Sequence, residues 1–97
     1  MKTRDEVLRI LAHQKSALLE TYQITKLGLF GSYARGEQND DSDVDVLVEY
    51  EQAPSLYRLL ELRDDLSELL SIRVDVVTRN GLKSRIKERV LAEVIYL

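Results

Sequence analysis

Apolar residues in the first fifth of the chain recur at helical spacing. Val7, Ile10, Leu11, Leu18 and Leu19 share one stripe, which predicts an amphipathic helix over residues 4–22. Thr3 followed by Glu6 forms a capping-box pattern at its start. His13 and Gln14 fall at the edge of that stripe, where a surface histidine is expected. Residues 24–30 then read as a strand, weakened by Gly28. Gly31 and Ser32 break the pattern, and residues 33–36 suit a short helix whose N-terminus is Ser32. Residues 36–42 are polar and aperiodic, hence a loop. Over residues 43–50 the period becomes two: Val44, Val46 and Val48 face one way, Asp43, Asp45 and Leu47 the other.

The second half repeats the alternation of element types. After a connector at 51–54, Ser55 caps a predicted helix carrying Leu56, Leu59, Leu60, Leu66, Leu69 and Leu70. Residues 72–78 form a strand with Val74 and Val76 opposite Asp75 and Val77. Asn80-Gly81 is a turn. Ser84 caps a last helix with Ile86, Val90, Leu91 and Val94, and the tail 95–97 is apolar, suited to an extended segment or a partner contact. The predicted order of main elements is helix, strand, strand, helix, strand, helix, in one domain spanning residues 1–97. The expected class is α+β: a small mixed sheet of three strands or slightly more, with helices packed over one face. The second and third strands, joined through a helix, suit a parallel crossover, and the first and second an antiparallel pair.

Composition narrows the chemistry. With 97 residues the chain has room for one core rather than two. Its 44% hydrophobic content supports a folded domain rather than disorder. Cysteine is absent and there is one histidine, so any metal would be held by carboxylates, which favours Mg²⁺ or Mn²⁺ over zinc. A net charge of −3 argues against a basic nucleic-acid-binding face. No apolar run is long enough to span a membrane, and the charged N-terminus lacks the apolar core of a signal peptide, so the cytoplasm is the default compartment.

The candidate chemistry lies in residues 27–50 and at Asp75. Asp43 and Asp45, two residues apart on a strand, project from one face. Carboxylates that close repel unless a cation lies between them. Asp75 is the one charge within the apolar run 74–77, and if its strand neighbours the first, three carboxylates converge. Such a cluster suits one or two divalent ions that bridge phosphate oxygens. Gly31 allows close backbone approach, and the Ser32 hydroxyl with the amides after it can donate to phosphate. Arg35 either adds a positive charge there or pairs with Glu37 or Asp40. Taken singly, Gly-Ser is an ordinary turn, Asp-x-Asp a solvated strand end, and Asp75 a satisfied structural carboxylate. Asp40 and Asp41 read as solvated loop residues.

Gly31-Ser32, ten residues, then Asp43-x-Asp45 resembles the signature of the DNA polymerase β-like nucleotidyltransferase superfamily. The fuller strings LFGSYARG, SDVDVLVEY and VDVVT resemble the minimal nucleotidyltransferases, antitoxin partners of HEPN-domain toxins. The resemblance runs over residues 27–78. It implies that Gly31 and Ser32 hold the triphosphate, that Asp43 and Asp45 bind Mg²⁺, and that Asp75 is the third carboxylate, activating the acceptor hydroxyl. It also implies transfer of AMP from ATP to a tyrosine of the cognate toxin, silencing its RNase activity. Larger relatives add a helical domain that grips the acceptor. The sequence after Asp75 is short, so the expected acceptor is carried by a separate protein. Two other readings stand beside this one: a small-molecule nucleotidyltransferase of the aminoglycoside-modifying kind completed by a helical partner, and an antitoxin that acts by binding alone.

Overall fold

A computed structural model describes residues 2–97. The elements run α1 (Arg4–Tyr22), β1 (Lys26–Phe30), α2 (Gly31–Arg35), β2 (Val44–Glu49), α3 (Leu56–Leu70), β3 (Val74–Thr78), a 3₁₀ turn (Arg79–Gly81), α4 (Ser84–Glu93) and β4 (Ile95–Tyr96). The strands form one mixed sheet in the order β3-β2-β1-β4. β1 pairs antiparallel with both β2 and β4, whereas β2 and β3 are parallel. The parallel pair is joined through α3, as a crossover requires. The apolar tail supplies the fourth strand, and the Leu97 N–H donates to Leu27 O at 3.0 Å.

α1 begins at the expected capping box, with Glu6 N–H donating to Thr3 Oγ1 at 3.1 Å and Thr3 N–H to Glu6 Oε1 at 3.1 Å. Val7, Leu11, Leu18 and Tyr22 are its buried residues. They meet Leu27 and Leu29 of β1, Val44, Val46 and Val48 of β2, and Leu62, Leu66 and Leu70 of α3 in the main apolar cluster. β1 and β2 are central strands, so these valines and leucines lose nearly all their exposure. Their burial supplies most of the driving force for the fold.

Of the leucines of α3, Leu62, Leu66 and Leu70 are buried, while Leu56, Leu60 and Leu69 are exposed. With leucines at so many positions, the 3.6-residue period fits more than one face, and packing against the sheet selects one. Neither Ser32 nor Ser84 is a cap: Phe30 and Lys83 occupy those positions and make no side-chain cap bond, whereas Ser55 does accept from Arg58 N–H at 3.2 Å. Finally, not every helix covers the same face. Gly28 alternates with the buried Leu27 and Leu29, and a Cβ on it would meet Val94 Cγ2 at 2.6 Å. The end of α4 therefore lies over the opposite face, which also carries Asp45, Leu47 and Glu49.

Candidate active site

The Gly31-Ser32 turn and the start of β2 are held together by sheet register. Phe30, the last residue of β1, is the antiparallel partner of Asp45. Gly31 follows it with φ +77°, and a Cβ at that position would run into the Asp45 carboxylate. Both the backbone conformation and the space demand glycine. The turn opens α2 directly, so half-buried Ser32 stands beside the acidic strand.

On the other side of β2, Asp45 and Asp75 are direct partners in the parallel ladder. Asp45 is half-buried, and burial first, then the charges of Asp75 and Asp43, push its carboxyl up to about 6; Arg35 acts the other way. Three acids thus act on one another at one end of the sheet. Their side chains do not converge equally. Asp43 precedes the first residue of β2, and its Oδ1 pairs with Arg73 Nε at 3.2 Å. Among the described residues no group of three Asp, Glu, His or Cys side chains is drawn together as a metal cage. The physical reason is mutual repulsion: Asp43 has a counter-charge within reach and turns to it. That pair is weak, because Arg73 is 84% exposed. A donor set of carboxylate oxygens, one of them half-buried and short of positive charge, fits a hard divalent cation.

Arg35 resolves the choice left open by its sequence. Its Nε donates to Glu37 Oε2 at 3.1 Å and its Nη1 to Glu93 Oε2 at 2.9 Å; Asp40 is not its partner. Glu93 also accepts the Gly31 N–H on Oε1 at 3.2 Å. Sequence reasoning missed Glu93 and Arg73. Glu93 lies 62 residues from Gly31, and nothing in its local pattern marks it. Arg73 carries a weak signal, as the cation two residues before Asp75. Beside Asp43, Tyr33, Ser42, Ile72 and Arg73 line a cleft of about 330 Å³. A larger groove of about 550 Å³ runs between α1 and α3 at Leu18, Tyr22 and Leu69, and none of Asp43, Asp45 and Asp75 lines it. Asp40 and Asp41 are exposed, as expected.

A family model for the nucleotidyltransferase domain matches residues 11–97. The chain belongs to this nucleotidyltransferase family. Protein adenylyltransferase MntA of Thermococcus cleftensis is 46% identical over 97 residues, covering 100% of this chain and 98% of the relative. A candidate protein adenylyltransferase of Methanocaldococcus jannaschii is 41% identical over 98 residues, covering 100% of both. Among solved structures, a candidate minimal nucleotidyltransferase superposes with TM-score 0.78 at 36% identity, over 94% of this chain and 95% of that one. A toxin–antitoxin complex crystallised with AMP-PNP shares the fold, with TM-score 0.75 at 24% identity, over 87% of this chain and 69% of that one. The nucleotidyltransferase is thus a homologue of MntA, with a mixed four-stranded α+β core. Among the described residues no helix is long and apolar enough to cross a membrane.

Proposed function

We propose that this nucleotidyltransferase transfers AMP from ATP to a tyrosine hydroxyl of a HEPN-domain toxin and so neutralises it. The observation that carries the chemistry is the register of Asp45 against Asp75, with the Gly31 turn closed onto the Asp45 carboxylate. Ser32 and Arg35 would hold the triphosphate. Gly31, whose own N–H is engaged by Glu93, contributes the turn and its close approach to Asp45. Asp43, Asp45 and Asp75 would hold Mg²⁺, with Mn²⁺ as a substitute; when bound, the ion neutralises charge on the phosphates. Arg73 is exposed, so Asp43 can leave it for the ion. Asp75, the most exposed of the three acids, would take the proton of the incoming hydroxyl. The tyrosine oxygen forms a bond to the α-phosphorus, the bond from that phosphorus to the bridging oxygen breaks, and pyrophosphate leaves with its electron pair.

The similarity to protein adenylyltransferases supports a protein acceptor, and a toxin–antitoxin assembly sharing this fold supports the partner class. The test is intact mass of the co-expressed pair. The toxin should gain one or more AMP masses with ATP and Mg²⁺, and none with Asp43→Asn/Asp45→Asn. Neutralisation by the wild type without added mass would favour a binding-only antitoxin. Adenylylation of a free aminoglycoside would favour the small-molecule enzyme.

A further inference from the structure

We infer that Glu93 is a positioning residue for the nucleotide: from the end of α4 it holds Arg35 and the Gly31 turn in the arrangement that receives the triphosphate. The inference rests on the reading of Ser32 and Arg35 as triphosphate ligands.

One carboxylate reaches both ends of α2. Oε1 accepts from the backbone N–H of Gly31, the first residue of that helix, at 3.2 Å. Oε2 accepts from Nη1 of Arg35, its last residue, at 2.9 Å. Glu93 itself is well supported. Its side chain is 21% exposed, against 44% for Arg35. Buried Val90 anchors the turn of α4 before it, Val94 packs on Gly28 after it, and β4 then pairs with β1. A mostly buried carboxylate and a more exposed guanidinium make an asymmetric pair, in which Glu93 decides where Arg35 stands.

The alternative tether for Arg35 is Glu37, two residues on and in the exposed loop. Glu37 alone would leave the guanidinium free to follow that loop. With Glu93 in place, Arg35 is tied to the same carboxylate that holds the Gly31 turn. The guanidinium has five N–H donors, so two carboxylates do not exhaust it, and an incoming phosphate still finds partners. A structural role alone does not call for a charge here. Glutamine would accept the Gly31 N–H equally well; only a carboxylate accepts from Gly31 and Arg35 together.

The experiment is a double-mutant cycle on the full chain, read by binding of a fluorescent non-hydrolysable ATP analogue with Mg²⁺. Glu93→Gln should bind about tenfold more weakly, and Arg35→Ala by a similar factor. The double variant should bind no more weakly than Arg35→Ala. In the adenylylation assay, KM for ATP should rise by a similar factor with kcat within about threefold, and the melting temperature of Glu93→Gln should stay close to wild type. Wild-type affinity in Glu93→Gln, or an equal loss in the Arg35→Ala background, overturns the inference. If Glu93→Gln does not fold, Arg35→Ala reads the same contact from its exposed side, and unchanged affinity there overturns it. A wild type that binds no nucleotide overturns the underlying reading and this one together.

Discussion

β2 carries one carboxylate near each end on the same face, Asp45 and Glu49, and the chain treats them in opposite ways. Glu49 is surrounded by donors: Tyr96 Oη donates to its Oε2 at 2.6 Å and Arg79 Nη1 to its Oε1 at 3.2 Å. Those bonds, with Lys26 nearby, hold its carboxyl below the usual range. Asp45 is surrounded by acids, and its carboxyl rises to about 6. The strand, the face and the functional group are the same. The neighbours differ: β4 and the 3₁₀ turn bring hydroxyl and guanidinium groups to one end, while β3 brings Asp75 to the other. A carboxylate satisfied by its own chain stabilises the fold. One left short of positive charge is available to bind something else.

The largest expected difference between the two is in activity. Asp45→Asn should reduce AMP transfer by about 10³-fold or more, because a neutral side chain cannot hold a cation beside the reacting phosphates. Glu49→Gln should leave the rate within a fewfold of wild type, since Glu49 lies at the far end of the strand. Intact-mass kinetics on the modified partner would measure both. Equal losses would mean that the two ends of β2 are not functionally distinct.

Stability should separate them in the reverse sense. Glu49→Gln loses two charge-assisted bonds, a cost of about 1–2 kcal/mol, or roughly 5–10 °C in melting temperature for a domain this small. Asp45→Asn in chelator-treated buffer should instead gain about 1 kcal/mol above pH 6, after discounting for solvent screening. The signs follow from linkage. The raised Asp45 pKa means that wild-type stability falls as pH rises from the ordinary value of 3.8 to about 6, so the Asn advantage is full above that window and absent below it. The lowered Glu49 pKa means that its contribution is present above its ordinary 4.5 and lost as pH falls through the folded value, so the Gln deficit shrinks in acid. Melts across pH 3.5–8 would show one gap closing from each side; two gaps of the same sign would contradict the comparison.

Much of this contrast was legible in the sequence at the Asp45 end and almost none at the Glu49 end. Asp43, Asp45 and Asp75 announce themselves because charge interrupts a period-two valine pattern, and Gly31-Ser32 because it breaks a strand. The parallel pairing of β2 with β3 followed from the helix between them. Glu49 looks like an ordinary strand-end acid, since its partners Arg79 and Tyr96 are remote in sequence and the tail read equally well as a partner contact. Glu93 was invisible for the same reason. The period of α3 was obscured by an excess of leucines, and the turn of Asp43 toward Arg73 is a side-chain choice that no pattern of residue types encodes.

The smallest effect tests whether the fourth strand is part of the Glu49 arrangement or only adjacent to it. Tyr96 is 40% exposed, its hydroxyl bonds Glu49, and Lys26 Nζ lies 5.4 Å from its ring centroid. Tyr96→Phe removes the hydroxyl and keeps the ring, so the cation–π contact and the pairing of β4 with Gly28 and Leu29 should survive. A bond to a charged acceptor is worth more than a neutral one, but solvent access at this edge strand lowers it to about 0.5–1 kcal/mol. The expected drop in melting temperature is a few degrees, in the direction of Glu49→Gln and smaller. Because the Tyr96 hydroxyl contributes most to holding the Glu49 carboxyl down, its removal should also move that pKa back toward its ordinary value, which side-chain carboxyl chemical shifts would follow through a pH titration. An unchanged Glu49 titration would assign the satisfaction of that carboxylate to Arg79 alone and leave β4 as an edge cover for β1.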